Sequence, residues 1–220
     1  MAVPERLALL GDIHANAPAL AAVLEAIGAA GITRGACTGD LVMRGDDPET
    51  CITTIRRIGW PCVMGNTDRK VAVRPPRDPD HPKAGRIGSR AWSTNQLSPG
   101  SMRYLAGLPL VERMTLKGAT IVLMHGGPDD PRDAIDADTS DKDVARLVAD
   151  LGAPDCIVSG HTHRALVRRA AGCLLVNPGS VGEAFEGDRR PRWAWLEARG
   201  GSLRAHLEKV SADLATIRTP

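Results

Sequence analysis

The chain has 220 residues, of which 43% are hydrophobic and 25% charged, the make-up of an ordinary globular domain with one core. Its 28 basic and 26 acidic residues leave a formal charge of +2, which gives no overall electrostatic footprint for nucleic acid or an anionic membrane. No stretch approaches the roughly 18 uninterrupted apolar residues of a membrane span, and the N-terminus lacks the pattern of a secretory signal, so the sequence reads as a soluble, cytoplasmic protein with no membrane partner.

Residues 6–10 read as a buried strand ending at Gly11-Asp12. Pro18 to Ala30 has helical spacing with proline in its first turn. A second strand, 36–38, stops at Gly39-Asp40, a second helix runs from Pro48 to Ile58, and a third strand, 62–64, stops at Gly65-Asn66. This alternation predicts a parallel sheet with crossover helices. Residues 72–88 are rich in proline and charge and read as a loop; with two weak helices near 89–96 and 99–107 they make an insertion over about 72–110 that would cap a site within a single domain. Strands near 111–116 and 120–124 form a hairpin around Lys117-Gly118. An amphipathic helix covers Ser140 to Leu151, a strand at 156–158 ends at Gly160-His161, and short strands follow near 165–169, 173–176, 192–197 and 202–208. The second half therefore reads as largely antiparallel. The five cysteines, at 37, 51, 62, 156 and 173, form no C-x-x-C pair and read as reduced, buried small hydrophobes.

Polar residues recur at one kind of place. Asp12, His14, Asp40, Asn66, His125, His161 and His163 all follow short apolar segments, and four of the six histidines are among them. In open α/β sheets ligands bind outside the carboxyl ends of the strands, so five strand ends could bring seven side chains to one edge. Each piece alone has a plain alternative: Asp-x-His is often a turn or cap, and Gly-Asn-x-Asp is mostly turn chemistry. The weight lies in their joint occurrence, in order, with a glycine at most junctions.

The set Gly11-Asp12-Ile13-His14, Gly39-Asp40, Gly65-Asn66-Thr67-Asp68, His125-Gly126-Gly127-Pro128 and Gly160-His161-Thr162-His163 resembles the motifs of the calcineurin-like metallophosphoesterases. Asn177-Pro178-Gly179-Ser180 and the segment from Trp92 to Pro109 resemble the small bacterial and archaeal phosphodiesterase branch. The resemblance implies a four-layer α/β/β/α sandwich of two mixed sheets with a metal site at the strand C-terminal ends. It implies two divalent ions (Mn, Fe, Zn, Ni or Co, with Mn preferred), one held by Asp12, His14 and His163, the other by Asn66, His125 and His161, with Asp40 bridging. Two such ions ~3.5–4 Å apart can neutralise a phosphate ester and acidify a bridging water to give the attacking hydroxide. Asp40, Asn66, Asp68 and His125 are thus the expected catalytic set.

Three substrate contacts are considered. Arg44, in Gly39-Asp40-Leu41-Val42-Met43-Arg44-Gly45, resembles an arginine that grips phosphate in protein phosphatases and diadenosine tetraphosphatases. Asn16 either lines the site or caps the helix that follows. Arg69 either meets substrate or makes a structural ion pair. Thr67 departs from the pattern, since many relatives carry a general-acid histidine there. Asp68 then reads as a residue behind the ligands or as a substitute acid. The expectation is hydrolysis of a small phosphodiester or phosphomonoester, with nucleotides among the candidates. The alternatives are a diadenosine-tetraphosphatase-like or protein-phosphatase-like hydrolase, and a non-catalytic scaffold, as in a retromer subunit with eroded metal motifs. A nucleic-acid substrate is disfavoured by the charge balance.

Overall fold

The computed structural model describes residues 5–73, 85–183 and 188–211. Its elements are β1 (Glu5–Leu10), α1 (Ala17–Ala29), β2 (Gly35–Cys37), α2 (Pro48–Ile58), α3 (Asn66–Ala72), α4 (Arg90–Gln96), α5 (Pro99–Ala106), β3 (Val111–Leu116), β4 (Ala119–Met124), α6 (Asp141–Asp150), β5 (Cys156–Val158), β6 (Leu166–Ala170), β7 (Cys173–Asn177), β8 (Arg192–Arg199) and β9 (Ser202–Lys209). No helix among the described residues is long and apolar enough to cross a membrane.

The strands form two mixed sheets, ordered β2-β1-β8-β9 and β3-β4-β5-β7-β6. Strand alternation then builds four layers, because successive side chains leave a strand on opposite faces. Leu7 and Leu9 of β1 point between the sheets, with Ile121 and Leu123 of β4, Cys156 and Val158 of β5, Leu174 and Val176 of β7, and Ala194 and Leu196 of β8. The interleaved Ala8 and Leu10 face α1 and α2, where they meet Leu20, Val23, Ile52 and Ile55. On the far side Val122, Met124, Ile157 and Leu175 pack on Val144 and Val148 of α6. All five cysteines are buried and free. Burial pushes the Cys51, Cys156 and Cys173 thiols up, away from the reactive thiolate.

Local signals explain the helix starts. Asn16 Oδ1 accepts from Ala19 N–H, Asp47 from Thr50 N–H, and Ser140 caps α6, while Gly59 closes α2 in the left-handed region. Glu49 of α2 accepts hydrogen bonds from Ser98 N–H, Ser98 Oγ and Ser101 Oγ, tying α2 to α5.

Two expectations change and one is refined. Segment 62–64 is joined to β2 by the single bridge Cys37–Cys62, so it continues the sheet without being a strand. The second half is largely antiparallel, with β3–β4, β6–β7 and β8–β9 all antiparallel pairs, but β4, β5 and β7 run parallel within it, and the β8–β9 hairpin crosses back to pair antiparallel with β1. The helix α3 was not foreseen, because Gly-Asn-x-Asp looks like turn chemistry in sequence. Of the expected cap, 74–84 lies outside the described residues, and α4 and α5 pack against α2 and α3 in the outer helical layer.

Three hairpins close on two-residue turns with positive φ: Lys117-Gly118, Ala171-Gly172 and Gly200-Gly201. Such turns match the strand twist, but a non-glycine residue there is strained and Asn tolerates it best. Ala171→Asn should therefore raise stability by about 0.5–1 kcal/mol, read as a higher urea midpoint with unchanged slope. Leu123→Ala, at the fully buried centre of the inter-sheet layer, should cost about 2–5 kcal/mol in the same assay.

Candidate metal centre

Loops leaving both sheets are laced together by backbone hydrogen bonds. Asp12 N–H donates to Gly39 O and His14 N–H to Asp40 O, each at 2.9 Å, so the loops after β1 and β2 run side by side. Gly160 N–H donates to His125 O at 2.7 Å, joining the loops after β4 and β5. His161 N–H meets Asp12 Oδ2 at 3.2 Å, linking the two sheets.

Within this frame five of the seven expected ligands hold left-handed backbone: Asp12 (φ 50°), His14 (50°), Asp40 (54°), His161 (68°) and His163 (59°). Each non-glycine residue so placed stores roughly 1–3 kcal/mol of strain, which the surrounding contacts must offset. The sharp turns are thus taken by the ligands themselves. Of the junction glycines, only Gly39 has positive φ (90°). Gly65 serves close approach instead: a Cβ there would lie 2.1 Å from Asp40 Oδ1 and 2.3 Å from Asp40 N.

The side chains converge. His14 Nε2 lies 3.0 Å from His163 Nε2 and 3.7 Å from Asp40 Oδ2. His163 Nε2 lies 3.3 Å from Asp12 Oδ1, and His125 Nε2 lies 3.5 Å from Asp40 Oδ1. Asp12 joins two groups with ligand-atom spacing, Asp12–His14–His163 and Asp12–Asp40–His125. The Asn66 amide sits 3.2 Å from His125 Nε2 and reaches His161 Nδ1 at 2.8 Å. All seven expected ligands therefore meet at one place. His161 is partly exposed, and the other six are buried.

The donor set fits divalent cations. His125 Nδ1 lies 2.7 Å from Thr38 O, and a carbonyl can only accept, so Nδ1 carries the proton and Nε2 presents a lone pair. That lone pair faces a carboxylate oxygen of Asp40. Asp12 Oδ1, fully buried, makes no aligned hydrogen bond despite the nearby imidazole. Acceptor atoms facing one another inside a protein are stable only around positive charge. Mixed carboxylate, imidazole and amide ligands suit Mn, Fe, Co, Ni or Zn.

Protonation follows the same logic. Burial lowers the His14 imidazole to about 4 against the pull of Asp40 and Asp12, leaving it neutral at pH 7. His161 is lowered by burial and by His125. Burial would raise Asp12, but contact with His163 and the charges of His125, His163 and His14 hold it at about 2. For His125 burial works downward, and Asp40, Asp12 and the Thr38 carbonyl outweigh it.

The remaining candidates separate. Asp68 is fully buried, and its oxygens accept from the N–H groups of Asp40 (2.8 Å), Leu41 (2.9 Å) and Gly65 (3.0 Å). Burial and the neighbouring Asp40 raise it to about 7, against those N–H groups. Enclosed in this way it holds the loop that carries Asp40, the arrangement of a residue behind the candidate ligands. Thr67 also faces inward, with its hydroxyl donating to Val42 O at 3.0 Å and its N–H to Asp40 Oδ1 at 2.8 Å. Asn16 is the buried cap of α1, with Nδ2 donating to Gly182 O at 3.2 Å, which is the cap alternative of the two expected for it. Arg44 stands at the rim in an ion pair with Glu183. Arg69 lies 4.0 Å from Asp130, along a cleft of about 330 Å³ that begins at Asn66.

Glu183 was missed in sequence. Its Oε2 lies 3.3 Å from His163 Nδ1 and 3.9 Å from His14 Nε2. The signal lay in Asn177-Pro178-Gly179-Ser180, which holds this loop: Asn177 Nδ2 donates to Gly160 O at 2.7 Å, Ser180 Oγ to Asp12 O at 2.8 Å, and Glu183 N–H to Ser180 Oγ at 2.8 Å.

Comparison with known proteins agrees with this architecture. Residues 6–200 match the model of the calcineurin-like phosphoesterase superfamily domain. The uncharacterized protein MJ0912 of Methanocaldococcus jannaschii is 31% identical, covering 96% of this chain and 90% of its own. A metallophosphoesterase from Sphaerobacter thermophilus superposes with a TM-score of 0.79 at 27% identity, covering 97% and 91% of the two chains. The hypothetical protein PH1004 from Pyrococcus horikoshii superposes with a TM-score of 0.81 at 19% identity, covering 96% and 90%. With a family match over most of its length and a donor cluster at the strand ends of both sheets, this chain belongs to the calcineurin-like phosphoesterase superfamily.

Proposed function

We propose that the protein is a dinuclear phosphoesterase that hydrolyses a small phosphodiester in preference to a monoester. The observation that carries the reading is the meeting of seven ligand-type side chains at one place with acceptor atoms facing one another. In this reading Asp12, His14 and His163 would hold one divalent ion, Asn66, His125 and His161 would hold the other, and Asp40 would serve both. When bound, such ions neutralise phosphoryl charge and lower the pKa of water, and manganese suits the mixed donor set.

The chain's own residues do the rest. Asp68 fixes the loop that carries Asp40, and the Thr38 carbonyl fixes the tautomer of His125. Glu183 holds His163 through Nδ1 and keeps Arg44 at the rim, where the guanidinium fork can receive phosphate oxygens. Arg69 lines the adjoining cleft, where it would meet the ester arm. No imidazole stands at position 67, so departure of an alkoxide lacks a general acid there. The absence of such a donor typically lowers rate by ~10²–10⁴-fold, which favours esters with acidic leaving groups. The same four-layer fold could serve as a scaffold, but the intact ligand set supports catalysis.

Metal-stripped protein given back Mn²⁺ should hydrolyse bis(p-nitrophenyl) phosphate faster than p-nitrophenyl phosphate, and Asp40→Ala should abolish both. Absence of turnover with Mn²⁺, Co²⁺, Ni²⁺ and Zn²⁺ alike would move the assignment to the scaffold. Gly65→Ala, by driving a methyl into Asp40, should weaken Mn²⁺ binding by at least ~100-fold in a chelator competition, beyond the effect of losing a group behind the ligands. Across a series of aryl and alkyl diesters, log kcat should fall steeply with leaving-group pKa, whereas a flat dependence would reveal a proton donor.

A further inference from the structure

Asn66 differs from the other proposed ligands in carrying an acceptor and a donor on the same group. The two ends of its amide face opposite surroundings. One end meets the imidazole nitrogens of His125 (3.2 Å) and His161 (2.8 Å). The other meets two donors, Lys70 Nζ at 3.3 Å and Thr67 N–H at 3.2 Å. With protein atoms alone the better pose turns the nitrogen toward the imidazoles and lets the oxygen accept from Lys70. A cation among the ligands reverses that choice, because only the oxygen can coordinate it. Nδ2 must then face Lys70 Nζ, donor against donor.

Thr67 N–H already has an acceptor in Asp40 Oδ1. Lys70 has none: among the described residues no carboxylate lies within ion-pair distance of Nζ. The neighbouring acid Asp130 is committed to Arg132, whose N–H and Nε both donate to its Oδ1 at 3.0 Å. Lys70 follows Asn66 by four residues on α3, so the two side chains leave the same helix face. Both line the 330 Å³ cleft with Arg69, Val73, Asp129 and Arg132. What satisfies both donors, at the edge of a metal centre and open to a cleft, is an anionic oxygen.

We infer that Lys70 Nζ and Asn66 Nδ2 form a two-donor clamp for a phosphoryl oxygen of the substrate, and of the phosphate released from it, on the Asn66 side of the centre. The clamp rests on the metal reading proposed above. It makes Lys70 a substrate-binding residue and orients the ester so that one arm lies in the Arg69–Arg132 cleft. It also couples the two ligands: metal binding turns the amide, and the turned amide exposes the donor that phosphate needs. A charge-assisted hydrogen bond of ordinary strength corresponds to roughly 10- to 100-fold in affinity.

The test uses Mn²⁺-loaded full-length protein titrated calorimetrically with inorganic phosphate, beside a chelator competition for Mn²⁺, in wild type, Lys70→Met and Lys70→Arg. Lys70→Met should weaken phosphate by roughly 10- to 100-fold, with Mn²⁺ affinity unchanged or tighter, since Lys70 no longer competes for the Asn66 oxygen. Lys70→Arg should retain most of the phosphate affinity. Equal phosphate binding by wild type and Lys70→Met overturns the clamp, as does a loss of Mn²⁺ affinity in Lys70→Met, which would make Lys70 a support for Asn66. A wild type that binds no Mn²⁺ instead sinks the underlying metal reading, a result the competition shows before phosphate is added.

Discussion

The structure depends on one electrostatic constraint: buried acceptors must face one another at the ends of the strands. Asp12 and Asp40 are almost wholly excluded from water, and so are His14 and His125. Their carboxylate oxygens and ring nitrogens gather with that of His163 at separations of 3.0–4.0 Å. Such a cluster is unstable as a neutral core and strongly favourable around positive charge. Much of the local architecture can be understood as the means of holding it.

Two buried polar side chains do most of that holding. Asp68 gathers the N–H groups of Asp40, Leu41 and Gly65, tying the segment after 62–64 to the loop after β2. Asn177 binds Gly160 O and Thr162 Oγ1 on one side and Gly179 N–H on the other, tying β7 to the loop that carries His161 and His163. From the same turn, Val181 and Gly182 donate backbone N–H groups to Gly11 O and Asp12 O, which reaches the other sheet. The left-handed conformations of Asp12, His14, Asp40, His161 and His163 persist because these bonds over-determine them. The strain lies where side-chain direction matters most.

Around this core the rim is asymmetric. On the His163 side stands a carboxylate, Glu183, holding both His163 and Arg44. On the Asn66 side Arg69, Lys70 and Arg132 line an open cleft together with Asp129 and Asp130, and Asp130 is paired with Arg132. Thr67, turned inward to Val42 O, leaves position 67 without a proton donor.

The sequence by itself determined most of the elements and which candidate ligands come together. Apolar runs of period two or 3.6 located almost every strand and helix, since that pattern is what burial on one face requires. The repeated placement of Asp, Asn and His just past those runs marked all seven residues that meet in the structure. Only the tertiary structure decided how they meet. Strand pairing is non-local, so nothing in the chain order revealed that β8 returns to β1, or that β4, β5 and β7 run parallel. Whether Asn16, Asp68 and Thr67 face the site or the backbone was equally hidden, because a short polar side chain serves either purpose and its partners, such as Gly182 O for Asn16, lie far away in sequence. Glu183 and Lys70 went unnoticed for the same reason: single charged residues are ordinary in sequence, and only the fold brings them within reach of His163 and Asn66.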